Sequence, residues 1–482
     1  MCNVMRYTSA WGPGGMGLDR RGRGRHVCAS MRGALRFSWA GWLWLLAGLP
    51  GGMLAASGAL VGKAPAVPQF KIELAEPAAG GAPAIMLGID VLEAGGFAVV
   101  QGKRIGLLTH PAGVNRQGRS TIEVLRHAPG VKLVALFGPE HGIYGDAAAN
   151  ATVASSVDAR TGLPVHSLFG ATRKPTKAML RGIDALVIDL QDIGTRSYTF
   201  ASAMRRALEG CFENDVEVIV LDRPNPLGGI KVGGPLLDAS LSHQNYVGAF
   251  RVPYVHGLTL GELARMAKGA PGLDFPEAVR QRGKLTVISM RGWTRSMRWP
   301  ETGLKWIPTS GLLPDWESVQ GYPMTGLATF WDPPRMDIGF RHGVGTSFPF
   351  RGLSCKGVPL DVLERELQGL RVPGVRFRRV TGRDREGQPM SGIYVDIVDE
   401  EAWEPTELNF HLMQLACRLT GQNPFAPAPG RQFDLFLRHF GSREFLAALA
   451  RDGAAIDLEP WLRRWREQTR IFRDQSRKHW LY

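Results

Sequence analysis

The chain has 482 residues, 44% of them apolar and 21% charged, an ordinary globular composition that is too long for one typical domain. Its formal charge of +14 is uneven: residues 1–36 hold seven Arg against one Asp, and the remaining +8 is spread thinly. No Lys/Arg block interleaved with aromatics appears, which argues against a nucleic-acid partner and leaves a mildly basic surface suited to an anionic polymer such as cell wall or an acidic glycan.

The first segments are targeting signals. Residues 1–30 are Arg- and Gly-rich without periodicity, and are an upstream extension if Met31 is the true start. Met31 to Arg36 forms a short basic start and Phe37 to Leu49 an apolar run, followed by the small residues Ala55-Ala56-Ser57-Gly58-Ala59 that a signal peptidase reads. The apolar run is short for a membrane span and is broken by Pro50, Gly51 and Gly52, so the expectation is export with cleavage, to the periplasm or outside, without stable membrane insertion. No Cys follows the run to carry a lipid anchor, and none of the five Cys has metal-ligand or redox spacing. Cys417, in the apolar helical stretch Phe410 to Leu419, is expected in the core. Residues 60–85 are Ala/Pro/Gly-rich and read as a linker after the extension and signal peptide of residues 1–59.

From Met86 strand and helix patterns alternate. Apolar runs of strand length recur at Arg104–Thr109, Lys132–Phe137, Ala185–Leu190 and Glu217–Leu221, with helical patterns at Ser120–His127, Thr176–Gly182 and Tyr198–Glu213. Strands without polar alternation, separated by helices, predict an α/β fold: a parallel sheet with helices on both faces, over residues 86–317. The texture then changes to Gly/Pro-rich loops through Phe350, a helix at Pro359–Leu370, strands at Val375–Val380 and Gly392–Val398, and a helix at Pro405–Thr420. This predicts a smaller α+β domain over residues 318–482, its tail helix packing a stripe of Leu458, Trp461, Leu462, Trp465 and Phe472 against the body.

Ligands of parallel sheets sit beyond the carboxyl ends of the strands. Here those ends read Thr109-His110-Pro111-Ala112-Gly113, Gly138-Pro139-Glu140-His141-Gly142, Asp189-Leu190-Gln191-Asp192 and Asp222-Arg223-Pro224-Asn225-Pro226. Polar clusters in phase with strand ends point to an active site. Glu140, on a tight loop between glycines, is placed to protonate a leaving group; a Glu capping the next element, or paired with Arg196, fits the spacing equally well. His110 and His141 follow neighbouring strands and, with Asp189 and Asp192, could hold a metal, but no HxH, HExxH or two-carboxylate spacing is present, which favours hydrogen-bonded histidines. Arg196 can pair with Asp192 or receive a substrate carboxylate in a bidentate fork, and Tyr198 offers a hydroxyl and a stacking face for a sugar ring. Thr259 and Glu262 form a capping box, so Glu262 reads as structural, and Asn225 with Gly228-Gly229 reads as loop architecture. No GxGxxG after a strand, P-loop or GxSxG elbow occurs, so no nucleotide cofactor is indicated.

Several ordered segments together resemble the exo-β-N-acetylmuramidases of the NamZ family: Gly88 to Leu92, Gly106 to Val114, Leu136 to Gly142, Asp189 to Arg196, Leu221 to Pro226, His256 to Thr259 and the tail Arg477 to Tyr482. The resemblance spans residues 86–482. It implies a Rossmann-like catalytic domain, a smaller C-terminal domain that completes the cleft, and no cofactor. The implied activity is release of N-acetylmuramic acid from the non-reducing ends of peptidoglycan fragments or muropeptide-derived sugars. The family's catalytic glutamate maps onto Glu140. Asp192, or a neighbour such as Asp146, is then expected to stabilise the oxocarbenium-like state or activate water. Arg196 and Tyr198 are expected to hold substrate, with His110, Asn115 and His141 lining the pocket.

The chain departs from the family where a Glu-Gly-Thr-Asn segment and a Gly-Arg-Gly-Thr segment are usual, reading Leu327 to Pro334 and Gly343-Val344-Gly345-Thr346 instead. A Glu and an Arg are thereby lost from the second domain's side of the cleft, and Arg341 and His342 are the expected substitutes. A related glycosidase with altered sugar choice, a non-catalytic glycan-binding protein and a metal-dependent hydrolase are the competing readings.

Overall fold

Apolar runs that bury both faces of a strand line up here as a parallel sheet. The computed structural model describes residues 85–482 apart from 148–153, 243–244, 270–275, 329–330, 333–335 and 427–430. The expected extension, the expected signal peptide and all but the last residue of the expected linker lie outside the described residues, as does part of the divergent segment. The elements of the first part are α1 (Gly88–Ala94), β1 (Arg104–Thr109), α2 (Thr121–Arg126), β2 (Lys132–Gly138), β3 (Ser156–Val157), β4 (Pro164–Ser167), β5 (Ala185–Asp189), α3 (Thr199–Glu213), β6 (Glu217–Leu221), α4 (Ala239–Ser242), α5 (Leu260–Gly269), α6 (Glu277–Arg282) and β7 (Leu285–Ile288).

The sheet order is β3-β4-β2-β1-β5-β6-β7, parallel except for the short edge strand β3. Period-two alternation sends Ile105, Leu107, Leu136, Val187 and Ile219 to one face, with the apolar side chains of α1 and α2. Leu108, Phe137, Ile188, Val218 and Val220 point to the other, with α3 and α5. The chain moves outward from β1 through β2 to β4, then from β5 through β6 to β7 on the opposite side. The order therefore reverses between β1 and β5, the place where an open α/β sheet forms its ligand crevice. Ser120 caps α2, its hydroxyl accepting from Ile122 N at 3.2 Å. The helix expected at Thr176–Gly182 is instead a run of turns: Leu180 alone is buried there, too little packing to offset the cost of nucleating so short a helix.

The second part holds α7 (Trp316–Thr325), a ribbon of β8 (Trp331–Asp332) and β9 (Met336–Asp337), β10 (Phe340–Arg341), β11 (Gly352–Cys355), α8 (Leu360–Gly369), β12 (Val375–Arg383), β13 (Pro389–Ile397), α9 (Glu407–Leu419), α10 (Arg431–Phe440), α11 (Arg443–Asp452) and α12 (Glu459–Ser476). Its four-stranded sheet, β10-β11-β13-β12, is antiparallel. On α12, Leu462, Trp465 and Phe472 are buried, as is Leu458 at its cap, while Trp461 is partly buried against the same core. That core also contains Phe200, Leu258, Phe410 and Phe440, so one apolar interior runs from the parallel sheet into the second part. Cys211, Cys355 and Cys417 are free and buried.

Polar contacts tie the parts together at several points, two of them built on buried groups. Arg196 is buried, and its guanidinium donates to four carbonyls: Pro235 and Val252, each at 2.8 Å, and Phe440 at 2.7 Å and His439 at 3.1 Å at the end of α10. At the other contact, the Tyr482 hydroxyl donates to Asp222 Oδ2 at 2.8 Å at the end of β6 and accepts from Met290 N, while Leu481 N donates to Glu262 at 2.9 Å. Arg295 lies 3.8 Å over the Trp480 ring and pairs with Glu262 at 2.7 Å.

Arg196→Ala leaves four mostly buried carbonyls without a charged donor. At about 1 kcal/mol or more each, the expected destabilisation is on the order of 4 kcal/mol, measurable by denaturant unfolding. Gly441, at φ +92°, has no room for a Cβ, which would meet Arg196 Nη2. Gly441→Ala is therefore expected to destabilise in the same direction, whereas a change within 0.5 kcal/mol, the size of an ordinary surface substitution at about this scale, would count against the clasp.

Candidate active site

The loop after β2 carries Glu140 between two constraints. His141 has φ 72° and Gly142 φ 76°, so a residue with a side chain sits in the left-handed region beside the glutamate. The His141 ring closes the loop, its Nδ1 lying 2.8 Å from Ala147 O. Glu140 is buried and its Oε2 accepts from the Thr199 hydroxyl at 2.7 Å, in the first turn of α3. Asp146, farther along the loop, is exposed.

The ends of β1 and β5 supply the next groups. Gln191 N donates to His110 Nε2 at 2.8 Å, which puts the ring proton on Nδ1, and burial holds the His110 pKa well below its usual value. Asp192 is buried: Oδ2 accepts from Gly194 N at 2.8 Å and lies 3.8 Å from His256 Nε2, while Oδ1 has no hydrogen-bond partner. Burial raises the Asp192 carboxyl to about 7 and drops His256 to about 3, so the imidazole is neutral and gives the acid no counter-charge. Asp189 does not join them, being held by Arg223 at 2.5 and 2.9 Å. Among the described residues, no group of three or more His, Cys, Asp or Glu is arranged to hold a metal ion.

Three expected substrate contacts have other roles. Arg196 does not pair with Asp192 and presents no fork to a carboxylate, because its Nη atoms are engaged by four carbonyls. Tyr198 is buried, its hydroxyl donating to Thr309 Oγ1 at 2.6 Å and its ring edge-on to Phe200 at 4.9 Å, which leaves no open face for a sugar. Asn115 is a loop residue: its Oδ1 accepts from Gln117 N at 3.1 Å and Arg119 N at 2.9 Å. The structural assignments agree with expectation at Glu262, whose Oε2 accepts from Thr259 N at 3.0 Å in a capping box, and at Asn225, which accepts from Leu227 N and donates to Leu258 O.

A cavity of ≈ 570 Å³ opens on the second part's side, lined by residues including Tyr254, Tyr322, Arg341, His342, Phe350 and His439. Arg341 reaches it while held by Asp337 at 2.9 and 3.1 Å. His342, its ring 4.7 Å from Phe350, is lowered to about 4 by burial. Glu140 is not in the lining of this cavity, and two of the lining residues, Tyr254 and Tyr322, share a hydroxyl cluster with Ser197. Ser197 Oγ lies 2.9 Å from the Tyr254 hydroxyl and 3.3 Å from that of Tyr322. Burial pushes Tyr322 up to about 12, and this tyrosine lines the cavity. Tyr322, Thr199 and Ser197 escaped the sequence reading because single hydroxyl residues at helix ends carry no spacing pattern.

The structure is an α/β protein with buried carboxyl groups at the carboxyl ends of a parallel sheet, and its relatives place it among the glycoside hydrolases. The chain belongs to the exo-β-N-acetylmuramidase NamZ family: the N-terminal family model matches residues 105–317 and the C-terminal one residues 321–482. The peptidoglycan β-N-acetylmuramidase NamZ of Bacillus subtilis (strain 168) is 37% identical over 336 residues, 69% of this chain and 77% of that protein. Two crystal structures of DUF1343 family proteins from Bacteroides fragilis NCTC 9343 are similar, one 38% identical with a TM-score of 0.72, the other 26% identical with 0.59. Each match covers 83% of this chain and 99% of the other.

The Asp192 carboxyl, at about 7 when folded against 3.8 as the ordinary value, keeps a proton in the native state that the unfolded chain has released. Its stabilisation is complete below pH 3.8 and is lost as pH rises through about 7. Asp192→Asn is expected to flatten this slope in denaturant unfolding between about pH 5 and pH 8, leaving a residual slope from Asp222, which burial raises to about 6. Identical slopes in both proteins would contradict the raised carboxyl.

Proposed function

We propose that this chain is an exported exo-β-N-acetylmuramidase that removes N-acetylmuramic acid from the non-reducing ends of peptidoglycan fragments. Glu140 is the general acid in this reading and Asp192 the second carboxyl group. The observation that carries it is the Glu140 loop itself: a buried carboxyl oriented by the Thr199 hydroxyl, on a backbone in the left-handed region, at the end of β2 beside the switch point. Family membership supplies the reaction, and the B. subtilis relative is a peptidoglycan β-N-acetylmuramidase by name.

In the proposed reaction Glu140 gives its proton to the glycosidic oxygen as the bond to the anomeric carbon breaks. Asp192, poised near neutrality by burial, takes a proton from the attacking water. The apolar N-terminal run and the small residues after it support delivery outside the cytoplasm.

Glu140→Gln is expected to lower kcat on a chromogenic N-acetylmuramic acid glycoside by about 10²- to 10⁴-fold while the substrate still binds. Binding without turnover in the wild-type protein would instead favour a glycan-binding protein. Export predicts a mature chain that begins near Ala55–Ala59, and N-terminal sequencing of the protein from the cell envelope checks it: an intact Met1 or Met31 terminus would contradict cleavage.

A further inference from the structure

The strand beside Glu140 carries a cation that no sequence motif marks. β2 and β4 run parallel with Gly138 opposite Ser167, so Glu140 and Phe169 each stand two residues beyond the paired ends, on adjacent strand tips. Leu168 N donates to Gly138 O at 2.8 Å and carries the pairing one step further. In the loop that leaves β4, Arg173 lies over the Phe169 ring at 3.8 Å and over the Tyr246 ring at 4.3 Å, and the two rings are 5.8 Å apart. Rings against a guanidinium fix its plane while its N–H donors at the edge remain able to fork onto a carboxylate. Burial raises the Tyr246 hydroxyl above its usual range, and the β2–β4 register is what sets this cluster beside the glutamate loop.

Several other arginines of this end of the sheet are already engaged, Arg205 among them through Glu209 at 3.3 Å. Arg196 is held by carbonyls, Arg223 by Asp189 and Arg206 by Glu209 at 2.6 Å. Arg341, on the second part, is bound by Asp337. Among the described residues no carboxylate pairs with Arg173, and it is solvent-exposed.

We propose that Arg173, fixed by Phe169 and Tyr246, receives the lactyl carboxylate of the terminal muramic acid residue beside Glu140, and thereby makes the site select muramic acid over N-acetylglucosamine. N-acetylglucosamine is the same sugar without the lactyl ether, so a charge-assisted fork at that one group separates the two. The inference rests on the muramidase reading and names its specificity group.

The test is calorimetric binding of free N-acetylmuramic acid and of its neutral lactyl amide, neither of which has a glycosidic bond to cleave, to the wild-type chain, Arg173→Ala and Arg173→Gln. The wild type is expected to bind the acid roughly 10- to 100-fold more tightly than the amide, and both variants to bind the two ligands equally, with amide affinity kept. Equal affinities in the wild type, no detectable binding of either ligand, or a preference that persists in both variants overturns the proposal. So does parallel loss of both ligands with a lowered melting temperature, the mark of a structural role. Failure of the muramidase reading is distinct: a wild type that does not hydrolyse muramic acid glycosides, yet prefers the acid through Arg173, leaves the binding site standing.

Discussion

A buried guanidinium that pairs with no carboxylate among the described residues organises this molecule. Arg196 leaves the sheet just beyond β5 and reaches two carbonyls of its own domain and two at the end of α10. The last carbonyls of a helix carry its negative end, so the charge that burial weakens is met there by a dipole rather than an anion. Burial lowers its pKa only to about 10, and the group stays protonated at neutral pH. The next three residues inherit this fixed position. Ser197 joins the hydroxyls of Tyr254 and Tyr322, Tyr198 anchors on Thr309, and Thr199 orients Glu140. The aim of the proposed acid thus depends on a contact made with the second part of the chain.

The electrostatics of the crevice follow from the same burial. His110, His256 and His342 are all held neutral, and Asp192 is pushed up toward neutrality with no cation beside it. An interior that suppresses charge makes its few polarised groups effective. Charge-bearing partners are kept to the rim, at Arg173 and Arg341.

How much of this is legible in sequence depends on how local the cause is. β1 and β6 were readable to the residue, because Ile105–Leu108 and Val218–Leu221 are unbroken apolar runs buried on both faces and each follows a charged residue. The β12–β13 hairpin extends to Arg383 and starts again at Pro389, beyond the expected limits, because one face meets water and no apolar run marks those residues. The phase of polar clusters with strand ends put His110, Glu140 and Asp192 just beyond β1, β2 and β5, which is where those strands end. Arg196 was misassigned because its partners lie between 39 and 244 positions away, and an arginine before a tyrosine looks the same whether it faces substrate or carbonyls. Arg173 was missed for a related reason: its two rings come from different loops, and only the fold sets them face to face.

The contact at Tyr482 bears on how the molecule assembles. Asp222 and Glu262 are fully buried at the carboxyl end of β6 and the start of α5, and they take hydrogen bonds from Tyr482 and Leu481 across separations of 260 and 219 residues. Few contacts in a chain of this size are less local, and such pairings form late because the intervening loop must close first. Their own domain gives Asp222 the donors of Thr259 and Gly261 and gives Glu262 those of Thr259 and Arg295, and the tail completes each set. The two family-defined parts are therefore not interchangeable modules joined in series: a fragment ending near residue 317 would carry the proposed acid on a sheet whose polar interior is unfinished, and would fold, if at all, without the cooperativity of the whole.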